Sequence, residues 1–315
     1  MSDVKCQKLS LHRIAVSPFL RVLVLLFTAH FSLLTVSAQI NDDVIKVESS
    51  IVVLNATITD TKGKPTAGLK QTQFKVFEDG QEQKVQFFES QSAPFAAVIL
   101  LDTSGSMEQR VSLARSAAIS FLDGLRSDDV AAIYNFDSKV SLVQDFSNSR
   151  DINEKVFDLK ADGMTRLNDA VHKATLELAK RTEKRKAIIV LSDGADTQSK
   201  LSGDKALKAA LLSNITIYTI DMSAVDTGGR ERIQSQAALK NFAEKSGGVF
   251  IPTAGGGAMR EAFKNIVEEL GIQYTLGYQP SNTKKDGKWR AIVLRVSRPN
   301  LTIRTRKGYN APKEK

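Results

Sequence analysis

Asp102, Ser104 and Ser106 alternate through one short loop, Asp102-Thr103-Ser104-Gly105-Ser106. At this spacing one carboxylate and two hydroxyls can turn their oxygens toward a single centre, and Gly105 lets the backbone turn tightly between them. Oxygen donors of which few are charged suit a hard divalent cation such as Mg²⁺, which keeps several waters and accepts an outside carboxylate. The same residue types are also ordinary helix caps, so this loop alone leaves metal binding and capping both open. Two later loops carry chemistry of the same kind. Gly163-Met164-Thr165 offers a hydroxyl and Ser192-Asp193-Gly194 a carboxylate.

Elements must bring these loops together. Residues 96–101 form an apolar run rich in Val, Ile and Leu, short enough for a strand buried on both faces. Val111, Ala114, Ala118, Phe121, Leu122 and Leu125 then recur at helical spacing. Strands are predicted over 130–136, 139–143, 187–191, 215–220 and 249–251. Helices are predicted over 151–159, 165–180, 205–212, 230–245 and 258–270. This alternation predicts an α/β fold, a doubly wound and mostly parallel sheet with helices on both faces. In such a sheet, loops at the carboxyl ends of the strands converge on one edge. Asp102, Ser104, Ser106, Thr165 and Asp193 then supply three hydroxyls and two carboxylates around one cation.

The flanks read differently. Val52, Leu54, Ala56 and Ile58 alternate, Asp79-Gly80 is a hairpin signal between Val76 and a returning Val85 and Phe87, and Ile292, Leu294 and Val296 share one face. The predicted organisation is a leader (1–38), an N-terminal β segment (39–92), the α/β domain (93–270) and a C-terminal β segment (271–315) that packs with the N-terminal one. The loop 223–229 reads as flexible. Ala254-Gly255-Gly256-Gly257 lacks the Lys and Ser/Thr of a phosphate loop and reads as a turn.

Lys5, Lys8, Arg13 and Arg21 precede or open an apolar run that ends in Val36-Ser37-Ala38, the pattern of an export signal. The chain is therefore expected to be exported, to the periplasm, the cell surface or the medium, with no span in the mature chain unless the leader stays as an anchor. The only cysteine, Cys6, and two of the three histidines, His12 and His30, leave with that leader. His172 alone is left, inside a helical pattern, so Ser-His-Asp, Cys-His and the usual zinc sites lack their parts. The net charge of +9 is spread thinly. The basic runs at 180–186 and 304–307 read as a solvated junction and a solvated tail, and no nucleic-acid partner is expected.

Asp-x-Ser-x-Ser after a buried strand, Gly-x-Thr at a helix start and Ser-Asp-Gly after another strand together resemble the metal-ion-dependent adhesion site of von Willebrand factor type A domains, in matching order across residues 93–270. The segments 55–83, 274–280 and 307–309 further resemble exported bacterial proteins with a VWFA-related Acidobacterial domain. The resemblance implies that Ser104, Ser106 and Thr165 hold Mg²⁺ (or Ca²⁺ or Mn²⁺) directly, that Asp102 and Asp193 do so directly or through water, and that an Asp or Glu of a protein partner completes the shell. It implies a non-enzymatic binding module. Asp169 and Asp196 lie near this site and read as caps or surface carboxylates. Two other readings stand beside the main one. A structural envelope protein could use the metal only to stiffen its loops. The loop around Asp102 also resembles the aspartyl-phosphate loop of haloacid-dehalogenase-type phosphatases, but Ser104 and Ser106 depart from that pattern and Thr165 has no role in it.

Overall fold

A computed structural model describes residues 51–90, 92–223, 229–252 and 256–313. The leader, the centre of the 223–229 loop and Ala254-Gly255 lie outside the described residues.

The chain begins its described part with β1 (Val52–Thr59), β2 (Phe74–Glu78), β3 (Gln81–Gln83) and β4 (Val85–Glu89). Asp79 and Gly80 both take positive φ, 47° and 85°, the backbone of a tight two-residue hairpin. The hairpin partner of β2 is β3, and Val85 and Phe87 do not return along β2 as the pattern suggested. Instead β4 crosses to the other sheet and pairs with a strand from the far end of the chain, where Phe88 packs against Phe74 and a distant tyrosine ring.

From Phe95 the α/β part takes over. It comprises β5 (Phe95–Asp102), α1 (Val111–Asp123), β6 (Val130–Phe136), β7 (Val140–Ser147), α2 (Leu167–Ala179), β8 (Arg185–Ser192), α3 (Gly203–Leu212), β9 (Ile215–Asp221), α4 (Arg230–Ser246), β10 (Phe250–Pro252) and α5 (Gly256–Gly271). The strand order is β10-β9-β8-β5-β6-β7, parallel throughout except for β7, which runs antiparallel along the edge. All eight residues of the central strand β5 are buried. Its odd-numbered side chains face α1 and α5, and its even-numbered ones face α2, α3 and α4. Each buried Val, Leu or Ile contributes about 1.5–3 kcal/mol, so β5 is the floor on which both helical layers rest. The helix predicted over 151–159 is only one turn, Glu154–Val156. Arg115 explains the shortfall, since its guanidinium takes the carbonyls of Val156, Phe157 and Leu159 that a longer helix would have used. Gly256 and Gly257 belong to the first turn of α5.

The chain then returns through β11 (Tyr274–Tyr278), β12 (Trp289–Val296), β13 (Thr302–Arg304) and β14 (Gly308–Asn310). Two four-stranded sheets result, β13-β1-β11-β4 and β14-β12-β2-β3, with a shared core of Leu54, Ala56, Phe74, Val76, Tyr274, Leu276, Ile292 and Leu294. Both sheets mix strands from before and after the α/β part. That part is therefore an insertion into a β-sandwich, between β4 and β11.

Buried polar groups join the two parts. The Arg185 guanidinium donates to the carbonyls of Leu270 (3.3 Å), Gly271 (2.8 Å) and Gln273 (2.5 Å), and burial pulls it down to about 10. Glu269 accepts hydrogen bonds from Thr57 of β1 and Tyr218 of β9 and pairs with Arg304 of β13 at 2.5 Å. Arg306 is also buried and donates to Leu211 and Val53 carbonyls. The basic run at 304–307 is thus not a solvated tail. It threads the seam, where helix-end and strand carbonyls need donors. The other basic run is neutralised locally by Lys180–Glu177, Arg181–Glu183 and Lys184–Glu89.

Candidate metal centre

The carboxyl end of β5 delivers Asp102 to the sheet edge with its side chain fully buried. Two residues on, Ser104 folds back. Its backbone N–H donates to Asp102 Oδ1 at 2.9 Å and its hydroxyl to the same oxygen at 2.6 Å. Ser104 Oγ lies 3.2 Å from Ser106 Oγ. Ser106 is exposed and sits in a single helical turn, Gly105–Met107, pinned from below by the buried Met107 side chain. The three oxygen-bearing residues of the first loop are therefore contiguous, and they open toward solvent through Ser106.

The second loop is tied to the first by backbone. Gly105 N–H donates to Gly163 O at 3.2 Å, and Asp162 N–H donates to Thr103 O at 2.9 Å. Gly163 has φ of 75°, and a Cβ there would fall 2.5 Å from Ser138 Oγ. That hydroxyl accepts the N–H of Met164, so only glycine fits. Thr165 follows, buried, with its N–H donating to Thr197 Oγ1 and its carbonyl accepting from Thr197 and Gln198. These bonds tie the second loop to the third and leave the Thr165 hydroxyl outside the backbone pairing.

The third loop leaves β8 at Ser192. Ser192 Oγ donates to Asp102 Oδ2 at 2.5 Å and accepts from Gly194 N–H at 2.9 Å. Gly194 has φ of 84°, and a Cβ would fall 2.4 Å from Ser235 O, so α4 backs this turn directly. Half-buried Asp193 accepts from Ala195 N–H at 3.0 Å. Its charge acts on Asp102. Burial pushes the Asp102 carboxyl up to about 7, the hydrogen bonds from Ser104 and Ser192 pull it back, and the Asp193 carboxylate adds to the rise. No ion pair among the described residues reaches either carboxylate. Two acids share an edge without a protein cation, which is the donor chemistry a divalent ion suits.

Asp169 and Asp196 hold the loops in place. Asp169 accepts the N–H groups of Lys200 and Leu201, and Asp196 accepts those of Asn168 and Ser199. Each clamps the start of α2 against the segment after β8. Two supporting residues, Ser192 and Thr103, carry no mark of their own in the sequence pattern. In the sequence Ser192 stands out only as the neighbour of Asp193. Leu101 pairs with Leu191 in the β5–β8 register, which sets Ser192 beside Asp102, and register was the missing signal. Thr103 ties the first loop to β6 and its hairpin by donating its N–H to Phe136 O and accepting from Asn135. At the end of β9, Asp221 and Ser223 repeat the first-loop turn, with Ser223 N–H and Oγ donating to Asp221 Oδ1 at 2.8 and 2.5 Å. Gln236 there occupies Asp221 Oδ2 at 2.7 Å. Among the described residues, no group of three His, Cys, Asp or Glu could hold a metal; the candidate set here relies on hydroxyls.

Against known proteins, residues 97–195 match the von Willebrand factor type A domain. A Synechocystis sp. protein of uncharacterised function is 30% identical over 135 residues, 40% of this chain and 32% of its own length, so the chain spans about a third of that relative. Among solved structures, the von Willebrand factor domain of the type V pili tip protein Mfa5 from Porphyromonas gingivalis is 16% identical with a TM-score of 0.49, covering 58% of this chain and 97% of its own. A von Willebrand factor type A protein from Catenulispora acidiphila is 14% identical with a TM-score of 0.46, covering 83% of this chain and 74% of its own.

Proposed function

Because residues 97–195 belong to the von Willebrand factor type A family, we propose that the chain is an exported protein-binding module. In this reading a divalent cation, Mg²⁺ or else Ca²⁺ or Mn²⁺, rests on Ser104, Ser106 and Thr165, with Asp102 and Asp193 as direct or water-mediated ligands. A partner's Asp or Glu takes the open position. The observation that carries the reading is that the first and third loops meet on Asp102, whose Oδ1 is held by Ser104 and Oδ2 by Ser192, while backbone bonds tie the second loop to both. A cation held mostly by neutral hydroxyls keeps much of its charge and favours an anionic further ligand. Export rests on the leader pattern at 1–38. Among the described residues no helix is long and apolar enough to cross a membrane.

The same hydrogen bonds bear on the phosphatase-like alternative alone: serine donors on both oxygens of Asp102 lower its nucleophilicity, and the non-enzymatic role is part of the proposal.

The test is metal titration of the whole chain. At a hundredfold excess over Kd, Mg²⁺ or Mn²⁺ should add about 2.7 kcal/mol of stability, read as a rise in Tm that EDTA reverses. Asp102→Ala combined with Ser104→Ala should abolish that rise, and metal binding that persists in the double variant overturns the assignment. Capture of envelope proteins should depend on metal. Capture that ignores EDTA would instead favour the structural-protein reading.

A further inference from the structure

Away from the metal centre, a cleft of about 460 Å³ opens where α3 meets β12 and β14. Its dominant feature is Trp289, the only tryptophan of the chain, which is 42% exposed. Covering the exposed part of this indole would remove apolar surface from water. Trp289 is also held still. A Cβ at Gly308 would fall 2.4 and 2.6 Å from its Cζ2 and Cε2 atoms, so one part of the ring lies on bare glycine backbone while the rest looks into the cleft. Leu207 and Leu211 close the floor.

The rim is polar and mixed. Asp204 and Asn310 bring acceptors, and Lys208 and Lys245 bring ammonium donors. Asn310 donates one of its two amide N–H groups to Gly287 O at 3.2 Å and keeps its carbonyl oxygen as an acceptor. Asp204, Lys208 and Lys245 enter no ion pair among the described residues. The lysines outnumber the acid, so the rim carries net positive charge.

We propose that this cleft is a second binding site and that its ligand is an acidic carbohydrate, a glycan carrying uronic-acid or similar carboxylated rings. A sugar ring presents an apolar C–H face, which an aromatic plane covers well. Its hydroxyls both donate and accept, and that matches a rim that offers both acceptors and donors. The carboxylate accounts for the two unpaired lysines. A peptide side chain would cover the indole equally and its N–H groups would serve Asp204, so the peptide arm of the titration decides between the two. The cleft also lies within the range of volumes typical of small-ligand sites.

The sole tryptophan is its own reporter. The full chain is titrated at fixed ionic strength with trigalacturonate and with a hyaluronan tetrasaccharide, using cellotriose as the neutral control and an acetylated Phe-Glu-Glu peptide as the peptide control. The expected result is a saturable change in Trp289 emission with an acidic sugar, at least tenfold weaker binding in Lys208→Glu/Lys245→Glu, and weaker binding by calorimetry in Trp289→Ala. The lysine variant keeps the reporter and alters only exposed side chains; Lys245 lies in the last turn of α4, where the reversed charge opposes the helix dipole, so the variant should stay folded with only a slightly lower Tm. EDTA should leave the titration unchanged, which separates this site from the metal centre. Equal binding of cellotriose, a response to the peptide in place of the sugars, or no response to either acidic sugar in the folded protein overturns the proposal.

Discussion

Ser192 is the only hydroxyl donor to the Oδ2 atom of the buried Asp102 carboxylate among the described residues. With Ser104 it divides the two oxygens of Asp102, and in Ser192→Ala the Oδ2 atom keeps its burial and loses its donor. An unsatisfied buried acceptor costs about 1–3 kcal/mol. Urea unfolding of Ser192→Ala should show a loss in that range with an unchanged m-value, whereas a loss under 0.5 kcal/mol on the same scale would mean that solvent reaches the site. Ser106→Ala removes an exposed hydroxyl that bonds only to its neighbour Ser104. Its unfolding free energy should stay within about 0.5 kcal/mol of the parent, while Mn²⁺ affinity falls. Ser192 and Ser106 therefore separate support from ligation: one variant should lose stability first, the other metal first. Asp221 and Ser223 add a caution at this scale. They make the same Asp-x-Ser turn as Asp102 and Ser104, so that turn is a local backbone solution and does not by itself mark a metal loop. What distinguishes the first loop is the company of Thr165 and Asp193.

Among the elements, the turns after β8 and before α2 are shaped by backbone that only glycine can adopt. Gly63 and Gly194 both have left-handed φ, 78° and 84°, but Gly63 has open space around it and Gly194 faces the Ser235 carbonyl. Gly63→Ala should therefore cost only the backbone penalty of about 1 kcal/mol. Gly194→Ala must also push α4 away and should cost distinctly more, about 3 kcal/mol or above. Thermal unfolding of the pair checks this, and equal Tm values would show that α4 is not a rigid backing for the third loop. The helix layers themselves follow from the alternate faces of β5, with α1 and α5 on one side and α2, α3 and α4 on the other. That both faces carry helices was legible in the strand–helix alternation; which helix covers which face was not. The short turn at Glu154–Val156 was not legible either, because the long-range reach of Arg115 decides where the carbonyls of 156–159 go.

At the scale of the molecule, the α/β part is held in the sandwich by buried charge. Glu269 gathers Thr57, Tyr218 and Arg304 from three different strands. Breaking one partner of a buried pair leaves the other charge without compensation, at a cost of about 3–5 kcal/mol. Glu269→Ala and Arg304→Ala should each be strongly destabilising, and the double variant should lose much less than their sum. A double-mutant cycle on unfolding free energies measures the coupling, expected above about 1 kcal/mol for residues sharing a network. A coupling near zero would show that the Glu269–Arg304 pair does not hold the insertion, leaving that role to Arg185, Arg306 and apolar packing.

The sequence by itself determined the period of each element, the strand–helix alternation and the residue types at the three loops, because all of these are set by neighbours a few positions apart. It also determined the chemistry that Asp102, Ser104, Ser106, Thr165 and Asp193 could perform. Tertiary structure alone decided which strand lies beside which. It placed Ser192 against Asp102, carried β4 to β11 instead of back along β2, buried Arg306 in the seam and set Trp289 over Gly308 at the mouth of a cleft. These depend on pairings across up to hundreds of residues, such as Val53 with Arg306. They are chosen by burying faces and satisfying buried donors, and a local pattern of residues carries no record of that choice.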